Sequence, residues 1–364
     1  MSMLSFTDRV KSFWEWFAAN EKELSEFTQN RKPDAEHSER VVAFIHEGVS
    51  LLGENLHFNI GGDHEFTFAV SGNHSLFFLL PFVIANLPDQ YRDKWTFFPC
   101  MPGTGGQSYG FRMYDVMTDS DNVMVSAVPD KEGKTANLRF YAKDWDALSE
   151  RDCYNAFYTL MDICIGEALS ASCINEVKKT DKLEKSIFSP KKSMFPLTQL
   201  EKWLLDNLCE NGKTPDPSES YYVYELEPQD NPESRLDIFI GNTNCLPLVN
   251  CYCGGDDSYY KALISFGAKP IFLSFCYSVE DDCNTVLQQR NDIMDRIESE
   301  VLGERGSGKE IGLMLGGAMG LSRAYIDILL FDEQTFIEKS KALLADYPIM
   351  FSREDFVRSG QDVH

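Results

Sequence analysis

Positive charge is what this chain has least of. Its 364 residues carry 34 Lys+Arg against 57 Asp+Glu, a formal net charge of −23 at pH 7. The deficit is not local: residues 1–190 hold 18 basic and 28 acidic residues, and the remainder holds 16 and 29. Non-specific affinity for nucleic acid rests on clustered Lys and Arg that release counterions from phosphates. The longest basic run, Lys178 to Lys192, is broken by Asp181 and Glu184 and reads as a solvated linker. Nucleic acid is therefore excluded as a partner, whereas a basic protein partner is favoured.

Long apolar runs are missing as well. The longest, Leu76–Ala85, spans ten residues, about half of the ~20 that a membrane-spanning helix needs. The N-terminus, Met1 to Asp8, lacks the basic start and apolar core of a signal peptide. These absences point to a cytoplasmic protein with no membrane partner, so its ten cysteines are expected as thiols. Paired C-x₂-C knuckles and an H-E-x-x-H helix are also lacking, and with them the strong signals for zinc. No cofactor or metal is expected.

What is present reads as α+β. Phe6, Val10, Phe13, Phe17, Leu24 and Phe27 recur at helical spacing, and a second helix is expected over Ser38–Leu52. Alternation on either side of Gly61-Gly62-Asp63 predicts a β-hairpin, followed by a helix over Leu76–Leu87. Strands are expected at Trp95–Pro99, Tyr109–Met117, Asn122–Pro129 and Ala136–Tyr141, with a helix from Asp152 to about Leu169. The Lys-rich, weakly periodic segment then suggests a division into 1–177, a linker 178–196, and 197–364. In the second half a helix over Leu197–Leu208 precedes strands at Tyr221–Leu226, Leu236–Ile240, Leu246–Tyr252 and Ile271–Tyr277. A helix over Val279–Leu302, strands Gly312–Ala318 and Tyr325–Phe331, and a last helix Gln334–Ala345 complete it. The expectation is two α/β-sandwich domains, each with a mostly antiparallel sheet on helices.

Four constellations invite a chemical reading. Gly106-Gln107-Ser108-Tyr109-Gly110 spells G-x-S-x-G, but a nucleophile elbow needs a strand before the serine and a helix after it. Here a strand pattern follows, and the only later histidine is His364; a glycine-rich loop is the simpler account. Gly303 to Lys309 spells G-x-x-x-x-G-K, yet Glu310 stands where a P-loop places Ser or Thr on magnesium. Five of the six histidines, His37, His46, His57, His64 and His74, fall within 38 residues. Asp63-His64-Glu65, with His57 across the hairpin, could gather metal ligands, or be a plain exposed turn. Cys251 and Cys253, read on a strand, would point the same way, which suits a metal ion or, more simply, packing in a core.

Phe13-Trp14-Glu15-Trp16-Phe17-Ala18-Ala19-Asn20-Glu21 resembles the F-W-x-W-F-x-x-N-E opening of a group of uncharacterised bacterial cytosolic proteins. Leu315-Gly316-Gly317-Ala318-Met319-Gly320, followed by Ala324 to Asp332, is similar to a bacterial module with the ferredoxin-like fold of the regulator of ribonuclease activity B. These resemblances imply a ferredoxin-like second half and bring no catalytic residues. The leading reading is an acidic regulatory or protein-interaction module without catalysis, of the kind that neutralises a toxin. The rival is a hydrolase sited at the Gly103–Gly110 loop or the His57/His64 hairpin. Candidate site residues are Asp63, His64, Glu65, Ser108 and Trp16. Because the Phe13–Phe17 aromatics cover an arc wider than one core-facing stripe, Phe13 and Phe17 are expected inside and Trp14 or Trp16 at an edge.

Overall fold

The computed structural model describes residues 4–29, 35–114, 116–130, 134–183, 194–229, 235–278, 280 and 282–358. It is an α+β protein. Helices α1 (Phe6–Gln29) and α2 (Ala35–Val49) precede the hairpin β1 (His57–Gly61) and β2 (Glu65–Ala69). The expected helix over Leu76–Leu87 is broken into a 3₁₀ turn, His74–Phe78, and α3 (Leu80–Ala85). Pro81 explains the break, since proline suits only the first turn of a helix. After α4 (Asp89–Arg92), β3 (Thr96–Phe98) pairs in parallel with β2.

Where one strand is expected over Tyr109–Met117, a hairpin forms instead: β4 (Gly110–Met113) and β5 (Val116–Asp119). Tyr114 turns the chain there with φ +50°. Strands β6 (Val123–Asp130) and β7 (Thr135–Ala142) then receive α5 (Glu150–Ile165), α6 (Glu167–Cys173) and β8 (Ile174–Lys179). Residues 184–193 of the expected linker lie outside the described residues. On either side of them, β8 pairs with β7, and β9 (Phe195–Pro196) pairs with β6. Helix α7 (Leu200–Asn207) follows.

The remaining elements are β10 (Tyr222–Glu225), β11 (Ile238–Thr243), α8 (Leu246–Gly254), α9 (Ser258–Ser265), β12 (Lys269–Cys276), α10 (Cys283–Arg296), β13 (Gly312–Gly320), β14 (Arg323–Leu330), α11 (Glu333–Leu344) and β15 (Phe351–Asp355). The strand expected at Leu246–Tyr252 is thus a helix. Pro247 sits in its first turn and Gly255, at φ +70°, ends it. Cys251 and Cys253 consequently face different ways, about 200° apart on the helix. Among the described residues the second half also closes with a strand rather than a helix: β15 adds to the edge of β12.

Six strands form one sheet in the order β10-β11-β13-β14-β12-β15. From β12 onward the chain runs β-α-β-β-α-β with spatial order β13-β14-β12-β15, every neighbour antiparallel. That is the ferredoxin-like arrangement. Strand alternation divides the sheet between two cores. Ile271, Leu273, Phe275, Ile326 and Ile328 face α10 and α11, whereas Phe272, Tyr325 and Leu329 face α1, α8 and α9.

The cores cut across the expected 178–196 division. Residues of 6–97 share one core with residues of 224–356. A separate core unites β6, β7, α5 and α6 with Leu197, Leu200 and Leu204. Phe6 locks the long-range arrangement: its N–H donates to the Gly267 carbonyl at 3.1 Å and its ring meets Phe331 at 5.2 Å. Phe13 and Phe17 are fully buried, as the wheel requires. Trp14 is also buried, its indole N–H donating to the Val83 carbonyl at 2.9 Å. Trp16 is the half-buried edge residue, lying across Gly48 and against Phe44 of α2.

Arg235 is buried between the sheet and α8. Its guanidinium donates to both oxygens of Asp327 and is ringed by Phe356, Phe272, Tyr325 and Tyr252 at 4.3, 5.1, 5.4 and 5.7 Å. Burial works against its charge, but the adjacent Asp327 holds its pKa above the ordinary arginine value.

Candidate functional site

His64 occupies the β1–β2 turn with φ +64° and is buried beneath the edge of Trp95, 5.2 Å between rings. Its Nδ1 lies 3.1 Å from Asp63 Oδ1 and its Nε2 lies 2.7 Å from the hydroxyl of Ser25 on α1. With the proton on Nδ1, Nε2 accepts from Ser25, which reproduces the order of a Ser-His-Asp triad. Ser25, however, is only 6% exposed. Asp63 is entirely exposed, so its charge is screened by water rather than held in a dry site. Glu65 is exposed and its carboxylate folds back over Gly62. His57 stands at the far end of β1, opposite Ala69. At ~3.4 Å per residue it is over 10 Å from the turn, so the two histidines do not assemble a site. His37 lies outside the described side chains.

Ser108 does not join this group. It precedes β4, and its hydroxyl donates to Asp119 Oδ1 at 3.3 Å. The glycine-rich loop beside it closes on Glu201 of α7: the Gly105 and Gly106 amides point to that carboxylate, and a Cβ on Gly103 would fall 2.7 Å from its Oε1. The Gly303–Lys309 loop behaves alike. Gly306 N–H and the Ser307 hydroxyl donate to the two oxygens of Glu310 at 2.9 and 3.1 Å, and Glu310 is buried. In both loops the place of a phosphate or oxyanion is taken by the chain's own carboxylate.

Another carboxylate, buried like that of Glu310, organises a cleft. Glu167, the first residue of α6, accepts from the backbone N–H of Val70, Ser71 and Met101 at 2.9, 2.6 and 2.9 Å. It thereby ties the segment after β2 to the α5–α6 break. Gly166 permits that break: at φ +82° its Cα approaches the Met101–Gly103 backbone so closely that a Cβ would lie 2.7 Å from Gly103 N. Between the joined segments is a cavity of about 350 Å³. Phe77 and Tyr158 form apolar walls, and His74, Asp162, Glu167 and Ser170 supply polar groups. Neither Lys nor Arg is among its lining residues.

The titration of this cleft is distinctive. Burial raises the Asp162 carboxyl to about 6, with Glu167 adding to the shift and the Ser170 hydroxyl opposing it. Desolvation lowers the His74 pKa, against the pull of Glu167. Burial thus pushes both groups toward their uncharged forms. In the sequence His74 stands out as one of five clustered histidines, whereas no motif marks Asp162 or Glu167. The available signal was Glu167 within the apolar run Ile163 to Leu169, since a charge in such a run must find buried partners.

Among the described residues no group of three or more His, Cys, Asp or Glu is placed to hold a metal ion. Nor is any helix among them long and apolar enough to cross a membrane. No family model matches the chain, and no curated protein or solved structure is significantly similar to it.

Proposed function

We propose that this protein is an acidic regulatory module, of the toxin-neutralising type, that binds a basic protein partner and inserts a Lys or Arg side chain of that partner into the Asp162 cleft. The observation that carries the reading is the cleft itself: about 350 Å³, with two carboxylates, two aromatic walls and neither Lys nor Arg among its lining residues. A cation gains from the carboxylates and from the ring faces of Phe77 and Tyr158. The net charge of −23 adds steering toward a basic surface. The closing of both glycine loops on internal carboxylates favours binding over phosphate or acyl chemistry.

The test is capture of the partner from native lysate at 50 and 300 mM salt, with the unaltered chain, Asp162→Asn, and Asp292→Asn as a distant exposed control. Binding should weaken with salt and with Asp162→Asn but not with the control. A partner that is neither basic nor salt-sensitive, or equal capture by Asp162→Asn, overturns the proposal. The Ser25–His64–Asp63 string favours a second reading, a hydrolase. A panel of generic ester and phosphate substrates decides it: turnover abolished by Ser25→Ala supports catalysis, and no turnover ends it.

A further inference from the structure

All ten cysteines are thiols, and two of them touch. The Sγ atoms of Cys173 and Cys209 are 3.8 Å apart. Cys173 ends α6 and is buried in the core of the middle unit; Cys209, just past α7, is half-buried. Both border a groove of about 770 Å³ that also reaches Pro215 and Tyr221. The groove gives a small solute a route to Cys209, while Cys173 lies behind it. A disulfide needs its sulfurs at about 2.05 Å, so less than 2 Å of approach is required. Side-chain rotation on two Cβ atoms supplies displacements of that size without moving either helix.

We propose that Cys173 and Cys209 form a dithiol modification site that closes to a disulfide when a hydroperoxide is the oxidant. The Cys209 thiolate attacks the terminal peroxide oxygen; the O–O bond breaks, and the departing alkoxide or hydroxide takes a proton. Cys209 is then a sulfenic acid. The Cys173 sulfur attacks the Cys209 sulfur, the S–O bond breaks, and hydroxide leaves as water with the Cys173 proton. Two thiols and one hydroperoxide thus yield one disulfide, one alcohol (or water) and one water, with two electrons passing to the peroxide. The order of events follows from exposure. Burial and the neighbouring sulfur push the Cys173 thiol up to about 12, so it reacts with its neighbour rather than with solvent. Burial raises the Cys209 thiol as well, which makes the first step slow at neutral pH and faster at alkaline pH. The bond would fasten α6, whose first residue Glu167 sets the cleft, to the segment leaving α7.

The experiment treats the full chain with hydrogen peroxide at pH 7 and 8.5, alkylates remaining thiols under denaturing conditions, and maps peptides by mass spectrometry. The expected product is a Cys173–Cys209 linked peptide that forms faster at pH 8.5 and disappears with dithiothreitol. Cys173→Ser and Cys209→Ser should each abolish it, while reduced variants keep the melting temperature of the reduced parent within a few degrees. The proposal is overturned if both cysteines remain alkylatable after the exposed Cys276 and Cys283 are consumed. It is equally overturned if Cys209 proceeds to sulfinic acid unlinked, or if either cysteine pairs elsewhere. A variant that melts far lower would be replaced by the Ala substitution at the same position, read by the same map.

Discussion

Replacing Asp327 by Leu should strand the Arg235 guanidinium in a place it cannot leave. The side chains of both residues are 1% exposed. The pair is bidentate, and the second oxygen accepts from Nη2 at 3.0 Å. Without the carboxylate, Arg235 keeps, among the described residues, a 3.4 Å contact to the Tyr224 hydroxyl and the surrounding rings. Ring faces give a desolvated cation about 2 kcal/mol, well short of what a buried ion loses on leaving water. Breaking a buried pair by removing one partner costs about 3–5 kcal/mol, a large part of the roughly 5–15 kcal/mol that holds an ordinary domain together. The double variant Arg235→Met/Asp327→Leu removes both charges and fills the space with apolar atoms, so its loss should be smaller than that of either single variant. The assay is urea denaturation at pH 7, followed by far-UV circular dichroism, on the four proteins of the cycle. Single variants that lose under about 1 kcal/mol, or a double variant equal to the sum of the singles, would refute the reasoning.

Three further outcomes are expected. Phe13→Ala, which empties the space between Trp14, Phe66 and Phe68, should cost about 3–5 kcal/mol in urea denaturation, and Trp16→Ala clearly less, because Trp16 is half-exposed over Gly48. Asp162 has a folded-state pKa raised to about 6, so its contribution to stability is full below the ordinary Asp value of about 3.9 and is lost as pH rises through about 6. Asp162→Asn should therefore stabilise the protein at pH 7.5 and change little at pH 4, as measured by denaturation midpoints, and binding of a basic partner to the unaltered chain should fade as pH falls through about 6. Gly316→Ala should cost more than about 2 kcal/mol by thermal melting, since its φ is +139° and the new Cβ would sit 2.1 Å from the Asn242 carbonyl oxygen; Gly105→Ala, with open space around it, should cost less.

Sequence periodicity carried far in some places and misled in others. The α1 stripe of Phe6, Val10, Phe13 and Phe17 and the strands around Leu273 and Ile326 were legible because each repeats one period over enough residues. Leu246 to Tyr252 was not, because a short apolar run suits a buried strand or a buried helix equally, and only Pro247 tells them apart. The cleft was half visible. His74 stood out by type, but its meeting with Asp162 depends on Glu167 reaching amides almost a hundred residues away, a contact without local imprint. Ser25 gave no signal at all; one serine on a helix becomes notable only when the β1–β2 turn brings His64 to it. The Lys-rich stretch marked a change of composition, not of core, since Phe6 and Phe331 meet across 325 positions.

That meeting bears on how the chain is made. The middle unit, from β6 to α7, draws its buried residues from 123–204 and can close as soon as that stretch has left the ribosome. The first helix cannot. Phe13, Phe17 and the rest of α1 and α2 gain part of their cover from β2 and β3, but Phe6 docks on Phe331 and Gly267, which lie far later in the chain. During synthesis the aromatic N-terminal segment must wait, partly uncovered, for more than two hundred residues to follow. A fragment ending just past α7 would keep the whole core of the middle unit but leave Phe6 without Phe331 and Gly267.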